Sequence, residues 1–314
     1  MLGRSANAIF WMFRYLERAE NLARLLDTGF RMALTRDELT AEEEWRSVVE
    51  TAGLREAYQE QNATYAGIQV WNYMLRDRDN ANSIRNLIGA VRSNARSARN
   101  VITSEVWEAV NESYLHLNDL LNRPVTQGGL ADAISTIKRE ATQVRGAMEG
   151  SMLRNDIYNF ASIGSFVERA DNTARIVDVK YYVLLPSLSY VGSSLDNVQW
   201  ETILRSLGAE RAFRWLNAGE LDARGIADFL ILDGRFPRSL RFCYAKIRSH
   251  LHSLALEYGA EGRAHEVMRN ADLKLQDADM ESVIDAGLHE FLADCIVTNN
   301  EIARAVEADY RFTD

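Results

Sequence analysis

The sequence predicts an all-α protein, and three observations lead there. Only three prolines (Pro124, Pro186 and Pro237) and 18 glycines interrupt 314 residues, too few for short strands joined by tight turns. Ala, Leu, Arg and Glu, all good helix formers, are abundant. Apolar residues recur at helical spacing, and no segment alternates with the period of a strand. That periodicity places helices near 5–33, 41–61, 64–77, 81–102, 105–121 and 129–149 in the first half. In the second half it places them near 156–184, 197–206, 209–217, 223–231, 237–257, 262–275 and 279–310. Gly128-Gly129 and Gly150-Ser151 punctuate the first set, and Pro186-Ser187 through Gly192-Ser193-Ser194 breaks the second after its first helix.

The length exceeds that of one ordinary core, and the chain compared with itself shows why. Tyr15-Leu-Glu-Arg-Ala-Glu-Asn-Leu-Ala-Arg-Leu-Leu-Asp27 returns 151 residues later as Phe166-Val-Glu-Arg-Ala-Asp-Asn-Thr-Ala-Arg-Ile-Val-Asp178. Trp45, Gly53, Ala57, Tyr58, Asn62 and Ala63 match Trp200, Gly208, Ala212, Phe213, Asn217 and Ala218 at a shift of 155. Ser83-Ile-Arg85 and Val91-Arg-Ser93 match Ser239-Leu-Arg241 and Ile247-Arg-Ser249 at 156. Three blocks in one order indicate a duplication whose period is too long for a solenoid. The expectation is two homologous multi-helix halves, 1–150 and 151–314, packed about a pseudo-two-fold axis as one unit.

Composition narrows the function. Hydrophobic residues at 47% and charged residues at 26% describe a folded chain, and a net charge of −9 argues against nucleic acid as the main partner. No apolar run approaches a membrane span, and Ala8–Phe13 is short and runs into Arg14. Cys243 and Cys295 lie far apart, which suits a cytoplasmic protein without a disulfide framework. Of the 36 basic residues only Lys138, Lys180, Lys246 and Lys274 are lysine, leaving 32 arginines. GC-rich coding would give that bias, and so would a need for bidentate clamps on carboxylates or phosphates.

The duplicated helix carries the main signal. Tyr15, Leu16, Ala19, Leu22, Ala23 and Leu26 form an apolar face, and Glu17, Asn21 and Arg24 line the opposite side. Glu168, Asn172 and Arg175 repeat the stripe in type and place. Two readings stand. In the first, an internal polar seam pairs Glu17 with Arg169 or Arg175, and Glu168 with Arg18 or Arg24; in the second, the Glu/Arg groups grip a ligand. Glu20 with Arg24, and Asp171 with Arg175, read as ordinary i,i+4 pairs. A row of arginines, Arg85, Arg92, Arg96 and Arg99, runs along one edge of a later helix, and Arg241 and Arg248 repeat part of it. It reads either as a solvated flank or as an anion-binding wall facing Glu17 and Glu168 and supplying their partners.

The common catalytic signatures are missing. There is no phosphate-binding glycine loop, no C-x-x-C and no H-E-x-x-H, and no Glu stands three residues before any of the five histidines. No metal and no cofactor is expected. His250 and His252 point apart on a helix, and both cysteines read as core thiols.

The tandem Tyr15–Arg24 and Phe166–Arg175 segments, with Asn94–Asn100, Glu105-Val-Trp-Glu108 and Phe229–Phe242, resemble the bacterial alpha-E family. The resemblance covers nearly the whole chain and implies an α-helical protein with a duplicated Glu-Arg motif at Glu17-Arg18 and Glu168-Arg169. It implies partners as well: circularly permuted ATP-grasp amide ligases, transglutaminase-like proteins and sometimes an NTN-type peptidase. The expected function is a companion subunit in ATP-grasp-dependent peptide or amide synthesis or peptide modification, binding the ligase or a peptide ligand. A stand-alone enzyme using the Glu/Arg groups, a structural scaffold and a homo-oligomer stay open. One departure is Gly164-Ser165, where the first copy has Phe13-Arg14.

Overall fold

Fourteen α-helices and no strand make up the described residues of the computed structural model, which are 3–34, 38–183, 194–217 and 222–312. The protein is all-α, as its composition and periodicity predict. The break expected at Pro186-Ser187 through Gly192-Ser193, and the repeated Ala218, lie outside these residues. By internal contacts the chain divides into unit 1, Met1–Ser165 with Tyr310–Asp314, and unit 2, Phe166–Asp309.

Unit 1 is built around α1 (Gly3–Ala33), about 46 Å long at 1.5 Å per residue. Eighteen of its residues are buried, on all sides and not along one stripe. It packs most extensively on α5 (Ile84–Ser97), then on α7 (Leu130–Ser151) and α2 (Glu38–Thr51). Between these run α3 (Arg55–Gln59), α4 (Gly67–Arg76) and α6 (Ser104–Leu120), with a 3-10 turn at Gln127–Gly129.

The helix expected over 41–61 is two helices, because the chain reverses at Gly53. Gly53 is left-handed (φ +68°), its N–H donates to Glu50 O (2.9 Å), and the Leu54 N–H donates to Val49 O (3.0 Å). These two bonds satisfy the last carbonyls of α2, and only glycine takes that φ without strain.

The chain then runs through α8 (Asp156–Val183), α9 (Ser194–Ser206), α10 (Glu210–Leu216), α11 (Ala223–Ile231), α12 (Leu240–Tyr258), α13 (Arg263–Asp277) and α14 (Met280–Asp309), the last kinked at Gly287. Details recur at the sequence shifts. Gly208 (φ +67°) donates to Arg205 O and the Ala209 N–H to Leu204 O, copying the Gly53 turn. Asn62 and Asn217 each donate a side-chain amide to the carbonyl four residues back, Tyr58 and Phe213. Ser83 caps α5 by accepting from the Asn86 N–H, and Ser239 caps α12 by accepting from the Phe242 N–H.

Gly164 explains the departure from the repeat. A Cβ there would lie 2.3 Å from Phe10 O, so α1 and the start of α8 approach within unit 1 as only a glycine allows. Phe10 and Phe160, both buried, meet Phe312 at ring separations of 5.5 and 6.0 Å beside this crossing. Gly164→Ala should therefore lower stability by about 1–3 kcal/mol, since backbone and not a movable side chain stands in the way. Gly146→Ala on α7, where a Cβ meets nothing within 4 Å, should be neutral or stabilising by up to ~1 kcal/mol. Urea unfolding of the two variants checks the contrast.

Candidate functional site

The Glu-Arg motif of the first copy sits in the middle of α1, and its carboxylates are inside the protein: Glu17 is 1% exposed and Glu20 is 0% exposed. A buried carboxylate is tolerated only when paired and hydrogen-bonded. Here the pairing comes from α7 and from α1 itself. Arg145 places Nη1 3.4 Å from Glu17 Oε2 and its other terminal nitrogen against Glu20 Oε2. Arg24 closes on Glu20 Oε1 through Nη2 (2.6 Å) and Nε (2.9 Å). Glu20 is thus no ordinary surface partner of Arg24, as its i,i+4 spacing suggested, but the centre of a buried cluster. Asn21 is buried beside it.

One heptad along the same pair of helices, Lys138 Nζ meets Asp27 Oδ2 at 2.8 Å, and Arg31 Nε meets Asp27 Oδ1 at 2.9 Å. Burial pushes the Asp27 carboxyl up, but the hydrogen bonds from Lys138 and Arg31 outweigh it and hold the group below the usual carboxylate range. The antiparallel α1–α7 register is therefore marked by ion pairs at two levels.

The motif arginine has a different task. Arg18, half-buried, donates Nη1–H to Asn82 Oδ1 (3.1 Å), just before the Ser83 cap of α5, and lies over the Tyr15 ring. In unit 2, Arg169 donates Nη1–H to Pro237 O (3.3 Å), just before the Ser239 cap of α12, and lies over the Phe166 ring at 5.1 Å. Both copies tie the motif helix to the start of the same following helix through a neutral oxygen and an aromatic ring three residues back.

The carboxylates of unit 2 are held differently. Glu168 is 5% exposed, and Asp171, in the place of Glu20, pairs with its own Arg175 at 2.7 Å. His289 Nδ1 lies 2.6 Å from Asp178 Oδ1, and His289 follows Lys138 by 151 residues just as Asp178 follows Asp27. At the same shift Arg145 becomes Ile296. The α14 helix therefore sets the imidazole of His289 at the position of Lys138 and the apolar Ile296 at that of Arg145. Thr173 Oγ1 donates to Arg238 O (2.8 Å), and Asn172 is half-buried.

The arginine rows do not supply the partners of the motif carboxylates, contrary to the expectation above. Arg92 donates Nε–H to Asn111 Oδ1 (2.9 Å) and lies on the Tyr114 ring, while Arg85 meets no acceptor among the described residues. Arg241 donates to Leu232 O (3.4 Å), and Arg248 pairs with Asp272 (2.8 Å). Arg145, which faces Glu17, lies on α7, whose sequence reads as an ordinary amphipathic helix. The available signal was a demand: two carboxylates on an all-round buried helix need a cation, and Lys138 and Arg145 share one α7 face a heptad apart.

Among the described residues no cluster of three or more His, Cys, Asp or Glu converges as a metal site. His265 accepts the Gly262 N–H at Nδ1 (3.0 Å) and faces Leu251 O with Nε2 (2.9 Å), which sets its tautomer and caps α13. His116 faces Glu140 at 2.9 Å, and His250 stacks on Phe166. Cys243 and Cys295 are buried, and burial pushes the Cys295 thiol up to about 12, far from a reactive thiolate. A groove of about 460 Å³ between α12 and α13 is lined by Arg248, His252, Glu261, His265 and Arg269. Its arginines are already paired, Arg248 with Asp272 and Arg269 with Glu261.

Arg145→Ala should cost about 3–5 kcal/mol, because it removes a cation shared by two buried carboxylates. Lys138→Ala, at a partly exposed pair, should cost under about 1 kcal/mol. Because the Asp27 carboxyl is lowered in the folded state, that smaller cost should fade as pH falls below its unfolded value near 4. Denaturant melts as a function of pH read both effects.

Residues 1–310 match a family model named Alpha-E, described as a predicted alpha-helical domain with a conserved ER motif. Comparison with curated proteins and with solved structures finds no match. With the match extending from the first residue to Tyr310, and with both Glu-Arg pairs placed on α1 and α8, the chain belongs to the Alpha-E family.

Proposed function

We propose that this chain is a companion subunit of an ATP-grasp-dependent peptide or amide synthesis or modification system, working in the cytoplasm and binding the ligase or its peptide-like substrate. The observation that carries the reading is the use made of the motif. Glu20 is closed on by Arg24 and Arg145, Glu17 faces Arg145, and the two motif arginines fasten α1 and α8 to the chain just before α5 and α12. A general base must reach a substrate proton, and a carboxylate sealed between guanidiniums inside a helix bundle is badly placed for that. The charged groups are used to join helices to one another, which fits a subunit that presents a surface to a partner. The partner class is proposed from the ligase association that the sequence resemblance implies. Carboxylate activation by ATP would belong to the ligase, and this chain would position the ligase or the acceptor.

The test is reconstitution. Co-expression should raise the yield or turnover of an ATP-grasp partner from the same genome, and Glu168→Gln with Arg169→Lys should weaken that effect. Lysine keeps the charge of Arg169 but loses the planar group that lies over Phe166 and reaches Pro237. The purified chain alone should hydrolyse neither ATP nor a peptide. Peptide turnover by the chain alone, abolished by Glu168→Gln in a variant with an unchanged melting curve, would replace the companion with an enzyme.

A further inference from the structure

We propose that the α5–α6 face of unit 1 is a docking surface for a polypeptide segment rich in carboxylates. The proposal rests on these two helices alone and is independent of the ligase reading. Arg85, Arg92, Arg96 and Arg99 follow one edge of α5 and its C-terminal turn over about 21 Å. In a chain of net charge −9, none of the four forms an ion pair with a described residue. Arg92 gives only its Nε–H to the protein, to the neutral amide of Asn111, and its guanidinium lies 4.6 Å from the Tyr114 ring centre. Arg99 lies 5.2 Å from the Trp107 ring centre. Arg96 is exposed, and half-buried Arg85 meets no acceptor among the described residues. Trp107, Asn111 and Tyr114 form one half-buried stripe of α6, so the row is backed by aromatic and amide groups, while the α6 carboxylates Glu105, Glu108, Glu112 and Asp119 are exposed and unpaired with it.

Guanidiniums seated on rings are already ordered, which lowers the entropy lost when an anion binds, and their terminal N–H pairs suit carboxylates two at a time. Four forks spread over this length exceed what one small anion can use. They match an acidic segment of about six extended residues or a few helical turns. A nucleic acid fits less well: a row of this kind would need free aromatic faces for bases, and the rings of Trp107 and Tyr114 already carry arginines. Unit 2 offers the contrast. There the row shrinks to Arg241 and Arg248, positions Arg96 and Arg99 become His252 and Ala255 at the shift of 156, and Arg248 is neutralised by Asp272.

The test is fluorescence anisotropy of a labelled octaglutamate peptide with the purified full chain. Saturable binding that weakens with added salt is expected. Arg96→Glu with Arg99→Glu should reduce affinity by about tenfold or more, Arg85→Gln by less, and Arg96→Lys with Arg99→Lys should bind more weakly than the parent and more tightly than the glutamate pair, since lysine keeps the charge but not the fork. Arg211→Glu with Arg304→Glu, exposed positions in unit 2 with the same change in net charge, should leave binding unchanged. Three results would overturn the proposal: no saturable binding at low salt, an equal loss in the unit 2 pair, or tighter row-dependent binding of oligothymidylate than of octaglutamate.

Discussion

Two carboxylates inside a helix bundle set the terms for unit 1. Glu17 and Glu20 lie on the central helix, and a charged group there is bearable only with a cation brought to it. Arg145 of α7 is a cation that reaches both, beside Arg24 on Glu20, and together with the Lys138–Asp27 pair it marks one antiparallel register of α7 on α1. Lys138 and Asp27 repeat the demand one heptad away. Apolar packing alone would let two amphipathic helices slide by a turn at modest cost, whereas a slide here would bury unpaired charge at one level and break a pair at the other. The ion cluster supplies uniqueness more than net stability, since a well-packed apolar replacement of a buried ion pair is often at least as stable.

Several local backbone details recur at the sequence shifts, and the charged groups differ. The Gly53 and Gly208 turns, the Asn62 and Asn217 side-chain bonds and the Ser83 and Ser239 caps agree bond by bond. Around Asp171 and Asp178, by contrast, the outer lysine has become His289 and the inner arginine Ile296. Backbone turns are constrained by φ and by orphan carbonyls, which leave few residue choices, whereas an ion pair can be traded for another arrangement that also satisfies the charge. The Arg18 and Arg169 contacts fall between these cases: the acceptor differs, Asn82 or Pro237, but the stretch of chain it belongs to is the same.

How far the sequence reaches follows from the same physics. Helix identity was legible because 3.6-residue periodicity and the scarcity of proline are local signals. The break at Gly208 is legible in the sequence, whereas its twin at Gly53 is not, since apolar residues continue on both sides and the left-handed φ is a single-residue event. Equal types at Glu17 and Glu168 pointed to a constraint on both, and both are buried. The identity of the partner was not legible. Arg145 stands 128 residues from Glu17, in a helix whose own pattern gives no reason to prefer it, and the more conspicuous row on α5 turns toward Asn111, Tyr114 and Trp107 of α6. Which face of an arginine-rich helix meets a given carboxylate is a tertiary fact.

The central claim is that the motif carboxylates work on the inside, as the register lock of α1 against α7. A double-mutant cycle between Glu20→Gln and Arg145→Gln, followed by urea unfolding of the full chain, measures this directly. A lock requires each single change to destabilise and the pair to destabilise far less than the sum, with a coupling of about 1–3 kcal/mol. Additivity within about 0.5 kcal/mol would contradict the account and return these carboxylates to solvent or to a ligand.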